Sequence, residues 1–278
     1  MTFGIMQGRL SAAPAGRPQA FPWSSWADEF SRARALGFSS IEWLVTAERP
    51  EDNPLATAAR VQQIRDVIAS TGVRVSSVCA DCFIPLPLVG AHAGARQERI
   101  DLLAHIIRQS AQIDARVVVL PLLETNAPAD KREALQLLGA LDSVLQMAAA
   151  LGVRIALETS WPGAHLNELI VNTGKPGLGA CYDIGNAAAF GLRADEDLRA
   201  LGPLLIDVHV KDRRRSGESV ALGDGDADLS SAFRALDELA YLGPVVLETP
   251  VGQDPTGHAS RNLAVTRAHA CRSAGATS

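Results

Sequence analysis

The chain has 278 residues, 47% of them hydrophobic and 21% charged, which is an ordinary globular composition with enough length to bury a substantial core. A formal net charge of −5 gives no overall pull toward nucleic acid or an anionic membrane, and no apolar run approaches the roughly 18–20 residues of a membrane helix. The first residues lack the charged head and apolar middle of a secretory signal, and four scattered cysteines make no disulfide framework, so a cytoplasmic protein is expected.

Strand and helix signals alternate along the chain. Residues 2–7 read as a strand, followed by a Pro/Gly/Ala-rich loop over 11–22 and a helix near 24–36 that stops at Gly37. A second strand is expected at 40–44 with a helix over 55–71, and a third at 73–80 with a helix near 95–113. ArgValValValLeuPro, 116–121, is a continuous apolar run of the kind found in strands buried on both faces, and a long helix follows over 130–150. Four more strands end at Glu158, Asp183, His209 and Glu248, with helices near 163–173, 187–201, 229–241 and 257–272.

Eight such units fit the size of a (β/α)8 barrel, expected here as a single domain over residues 1–278. The rival, a doubly wound open sheet, usually carries a glycine-rich phosphate turn after its first strand; MetGlnGlyArgLeuSer has one glycine and leads into a loop. In a barrel the strand ends converge at one mouth, where active sites lie. Glu158, Asp183, His209 and Glu248 each end an apolar run, so the barrel would gather them. Three crowded carboxylates repel one another unless a cation sits among them. The oxygen-rich set suits Mn²⁺, Mg²⁺ or Co²⁺ better than zinc, so one divalent cation is the expected cofactor.

The strand ends AlaLeuGlu, TyrAspIleGlyAsn, AspValHisValLysAsp and ValLeuGluThr resemble the sugar (phosphate) isomerase/epimerase branch of the xylose isomerase-like barrel superfamily, and the likeness covers nearly the whole chain. Ketose 3-epimerases of that branch carry a Glu–Asp–His–Glu ligand set. The resemblance implies that Glu158, Asp183, His209 and Glu248 hold one divalent ion, with Glu158 and Glu248 also acting as the catalytic acid and base. The implied reaction is ketose 3-epimerisation, by proton abstraction alpha to a carbonyl through a metal-stabilised enediolate. Hydroxypyruvate or aldose–ketose isomerisation and inosose-type dehydration begin with the same step and remain alternatives. Relatives of this kind are often dimers or tetramers, so a homo-oligomer stays open.

Asp183-Ile-Gly-Asn186 departs from the Asp-x-x-His of endonuclease IV-like members and of the tagatose-type epimerases, which argues against a DNA-repair site and resembles more the sugar-phosphate 3-epimerases. A non-catalytic sugar-binding barrel is a further alternative, but all four ligands are present. Asn186 is expected to contact substrate or to cap a helix. Lys211 and Arg213, in the basic run after His209, are candidates for clamping a sugar phosphate. Gln7 and Glu42, at the ends of the first two strands, face the expected pocket mouth as candidate sugar contacts, with Trp23, Trp43 and Trp161 nearby. Glu124, Arg9 and His165 are weaker polar candidates. GlyAspGlyAspAlaAsp, 223–228, lacks the order of a calcium loop, and Asp228 is expected to cap the next helix. Cys79-Ala-Asp-Cys82 has no second pair with which to hold zinc. The expected partner is a small sugar or sugar phosphate, with no nucleic acid and no membrane.

Overall fold

The structure, a computed structural model, describes residues 1–12 and 19–275. Of the loop expected over 11–22, residues 13–18 lie outside the described residues. Eight parallel strands close into a barrel: β1 (Phe3–Met6), β2 (Ser40–Leu44), β3 (Arg74–Cys79), β4 (Val117–Leu122), β5 (Arg154–Thr159), β6 (Leu178–Asp183), β7 (Leu205–Val210) and β10 (Val245–Leu247), which pairs back with β1. Between β7 and β10 a short antiparallel pair, β8 (Asp212–Arg213) and β9 (Ser219–Val220), turns the basic run into a hairpin where plain loop was expected.

The helices α1 (Trp26–Leu36), α2 (Ala58–Thr71), α3 (Ala93–Gln112), α4 (Lys131–Ala140), α5 (Asp142–Ala150), α6 (Gly163–Thr173), α7 (Ile184–Ala189), α8 (Ala194–Leu201), α9 (Leu229–Glu238) and α10 (Pro255–Gly275) lie between and after the strands. Among the described residues none is long and apolar enough to cross a membrane.

Two helices expected as single pieces are broken. The helix expected over 130–150 divides into α4 and α5 at Leu141, which sits fully buried at φ −88°, ψ 4°, two residues past a glycine that weakens helical preference. The helix expected over 187–201 is α7 and α8, separated by a turn in which Gly191 takes φ +73°. Asp228 does cap α9, accepting a hydrogen bond from the Ser231 N–H.

β4 is buried along its whole length, as its continuous apolar run requires. The interior is not uniformly apolar. Glu42, Ser77, Asp207 and His209 are all fully buried, so a polar column fills the barrel under its C-terminal end. An aromatic cluster of Phe21, Trp26, Phe30 and Trp43 packs beside β2, with ring centroids 5.4–6.5 Å apart.

Candidate active site and metal centre

The C-terminal mouth of the barrel opens on a cavity of about 630 Å³, lined by Glu158, Asn186, Lys211, Arg213 and Glu248 together with Arg9, Gln19, Cys79, Asp81, Glu124 and Phe190. Glu158, Asp183 and His209 lie in the last turns of β5, β6 and β7, and Glu248 follows β10 directly. Its N–H still donates to Val210 O at 3.0 Å, which fixes the residue against the β7 end.

Ligand atoms of Asp183, His209 and Glu248 lie within 4.8 Å of one another, and Glu158 joins His209 in a second group that includes Cys181. Metal–oxygen bonds of about 2.0–2.6 Å place ligands around one ion roughly 3–5 Å apart, so the spacing of Asp183, His209 and Glu248 suits a single cation. His209 lies between two carboxylates: Nδ1 is 3.1 Å from Glu248 Oε2, and Nε2 is 3.0 Å from Glu42 Oε1. Neither ring nitrogen makes an aligned hydrogen bond among the described residues. A buried imidazole nitrogen facing carboxylates in this way matches what a divalent ion requires of its ligands.

The electrostatics are those of a cation-seeking cluster. Burial pushes the Glu158 carboxyl up to about 8, and the neighbouring Asp183 and Glu248 charges push the same way against His209. Burial also raises Asp183. Glu248 goes the other way. Against its burial, Lys211, His209 and Arg9 hold it well below the usual carboxylate range. Lys211 Nζ donates to Glu248 Oε1 at 2.9 Å and to Asp183 Oδ2 at 3.4 Å. Gln19 Nε2 donates to the same Glu248 oxygen at 3.1 Å, and Arg9 Nη2 lies 3.5 Å from it. Burial disfavours a charge on His209, but Cys181, Glu42 and Glu248 hold its pKa well above the ordinary value.

Asn186 sits at the third residue of α7, while Asp183 caps that helix by accepting from the Asn186 N–H at 2.8 Å. Asn186 Nδ2 donates to Glu158 Oε1 at 3.0 Å, and its Oδ1 accepts from Arg213 Nη1 at 2.7 Å. Arg213 also donates to Gly217 O through Nε and Nη2, which seats it at the rim. Gly185 makes this packing possible, because a Cβ there would lie 2.8 Å from the Lys211 carbonyl.

Several expectations change. Glu42, expected at the mouth, lies mid-strand and fully buried beneath His209, with Ser77 Oγ donating to its Oε2 at 2.6 Å. Gln7 is also buried and donates to Trp26 O, away from the cavity lining. Lys211 lines the cavity with its ammonium turned inward to Glu248 and Asp183. Trp43 is a core residue whose Nε1 donates to Asn53, Trp23 packs on Phe21, and half-exposed Phe190 is the aromatic ring at the mouth.

Sequence reasoning missed Gln19, Asp81 as a cavity wall and Asp207. Asp207 carried a signal: it is charged within an otherwise apolar strand, two residues before His209 and so on the same face. It lies fully buried, grouped with Glu42 and His209, and burial and Glu42 raise its pKa well above the ordinary value. Burial, with Glu248, also lifts Asp81, to about 6.

A closed eight-stranded parallel barrel with helices between its strands, and with buried carboxylates and a histidine gathered at its C-terminal mouth, defines the (β/α)8 class of barrel proteins. Residues 30–269 match the family model of the xylose isomerase-like TIM barrel, and the chain belongs to that family. L-ribulose-5-phosphate 3-epimerase UlaE of Shigella flexneri serotype 5b is 25% identical over 247 residues, covering 83% of this chain and 84% of that protein. A solved L-ribulose 3-epimerase superposes with a TM-score of 0.80 at 18% identity, covering 100% of this chain and 97% of that one. D-allulose 3-epimerase from Methylomonas sp., in complex with D-allulose, gives 0.78 at 15% identity with 97% of each chain covered. At these identities the solved structures establish a shared fold.

Proposed function

We propose that the protein is a cytoplasmic, divalent-metal-dependent isomerase that epimerises a ketose or ketose phosphate at C3. The observation that carries this reading is the meeting of Asp183, His209 and Glu248 at the barrel mouth, with Glu158 beside His209 and lining the same cavity as Glu248; the epimerases among its relatives point the same way. Glu158, Asp183, His209 and Glu248 would hold Mn²⁺, Mg²⁺ or Co²⁺. When bound, the ion supplies Lewis acidity, polarising a substrate carbonyl so that the neighbouring C–H becomes acidic.

The chain's own residues do the rest. Glu248, kept ionised by Lys211, His209 and Arg9, is ready to take a proton from carbon. Glu158, across the same cavity, is placed to return one from the other side of the sugar. Their strands are separated by β6 and β7, so the two carboxyls reach a bound sugar from different directions. The roles exchange in reverse turnover. Asn186 orients Glu158 and carries Arg213 on its other side, leaving Arg213 at the rim as a group that can meet an incoming hydroxyl or phosphate. Ile84, Pro121, Leu123, Phe190 and Pro250 supply the apolar part of the cavity wall.

The test is a panel of ketoses and ketose phosphates, incubated with protein and each metal in turn and followed by NMR. Appearance of the C3 epimer, abolished by chelator, supports the reading. Formation of an aldose or of a dehydrated product in its place would replace it with isomerase or dehydratase chemistry.

A further inference from the structure

At the opposite, N-terminal end of the barrel lies a second cavity, of about 560 Å³. Arg74 opens β3, Arg116 immediately precedes β4 and Arg154 opens β5, so three neighbouring strands each begin with a guanidinium lining this cavity. The sheet fixes their adjacency, since the Arg154 N–H donates to Arg116 O at 2.9 Å. Arg65, on α2, adds a fourth guanidinium to the same wall. Asp114 is the one carboxylate among the lining residues, and it is taken by Arg116 at 2.8 Å. Among the described residues Arg65, Arg74 and Arg154 have no ion-pair partner.

Elsewhere on the surface several arginines sit against carboxylates. Arg49 pairs with Asp52, Arg193 with Glu196, and Arg199 with Asp195 and Glu238. Like charges around one concavity repel, and an anion among them relieves that repulsion. The chain as a whole is acidic, so the cluster is a local reversal of sign.

We propose that this basal cavity is a binding site for a small phosphorylated anion, separate from the catalytic pocket. Guanidinium forks match phosphate oxygens two at a time, and the hydroxyl-bearing Thr2, Ser40 and Ser76 line the same wall. The volume falls within the range of pockets for small molecules, which is too small for a nucleic-acid duplex. An anion there would bridge the starts of β3, β4 and β5, and binding to the folded chain alone would raise its thermal midpoint.

The experiment is calorimetric titration of inorganic phosphate into the Mg²⁺-loaded full chain at low ionic strength. Wild type is compared with Arg74→Gln/Arg154→Gln at the base, Arg65→Gln on α2, and Arg213→Gln at the catalytic mouth. The expected result is saturable binding that weakens at least about tenfold in the basal double variant, less in Arg65→Gln, and persists in Arg213→Gln. It should also weaken several-fold between about 0.02 and about 0.2 M salt. The altered side chains are exposed, so folding is expected to survive and is checked by circular dichroism; should the double variant unfold, Arg65→Gln decides. Absence of saturable binding, or binding lost with Arg213→Gln and untouched at the base, overturns the proposal. Neither result bears on the epimerase reading.

Discussion

The Glu158 and Glu248 sides of the pocket are built from the same functional group and behave oppositely. On the β5 side, Glu158 is buried with one amide donor, Asn186, and its carboxyl is pushed up to about 8. On the β10 side, Glu248 meets Lys211 at 2.9 Å, His209 at 3.1 Å, Gln19 at 3.1 Å and Arg9 at 3.5 Å, and stays ionised in spite of its burial. Burial alone would raise both carboxyls. The difference comes from where the cations are, so in the metal-free pocket the two carboxyls hold a proton with opposite strength.

The severest way to break that division is to remove either carboxylate. Glu248→Gln and Glu158→Gln are each expected to lower epimerisation by roughly 10²–10⁴-fold with the fold intact, read as turnover beside a circular dichroism control. An intermediate effect is expected beneath the pocket. Glu42 lies 3.0 Å from His209 Nε2 and is itself held by Ser77, so Glu42→Leu should weaken cation binding by roughly 10–100-fold in calorimetry. Glu42→Gln, which keeps a hydrogen-bonding oxygen, should lose less; equal losses would mean that Glu42 does not orient the imidazole.

The pH dependence sharpens the comparison. Glu158 binds its proton more tightly folded than unfolded, so its contribution to the stability of the metal-free chain is full below the ordinary carboxylate pKa of 4.5 and is lost as pH rises through about 8. Glu248 contributes in the opposite sense: its share is present above its ordinary pKa and disappears as pH falls through the depressed folded value. A cation must displace the Glu158 proton, so affinity should rise by at least about tenfold per pH unit below about 8, with proton release visible in buffers of different ionisation enthalpy. A flat profile would remove the β5 side's distinction. The smallest effect lies far from both sides: Asp228→Ala, which removes the cap of α9, should cost about 1 kcal/mol in chemical denaturation and leave turnover unchanged.

Much of this molecule is legible in its sequence. Each of the eight barrel strands announces itself by its apolar run or its place in the alternation, and the runs closing on Glu158, Asp183, His209 and Glu248 show which side chains must meet at one end. Alternation gives the face of a residue and not its depth. Glu42 was therefore placed one layer too high, and Asp207, on the face of His209, passed without a role. Helical periodicity did not reveal the breaks at Leu141 and Gly191, because burial and a left-handed turn decided them. Gln19 meets Glu248 across 229 residues of sequence, and no local pattern foretells such a contact. Spacing brought Lys211 near the site, but only the surrounding carboxylates turn its ammonium inward.

The most direct measurement is deuterium wash-in at C3. The metal-loaded protein is incubated in D₂O with the ketose or ketose phosphate it turns over best, beside chelated protein and Glu248→Gln. The account predicts incorporation at C3 that requires both the cation and Glu248. A metal bound tightly at this site with no C3 exchange in any ketose, or exchange undiminished in Glu248→Gln, would contradict it.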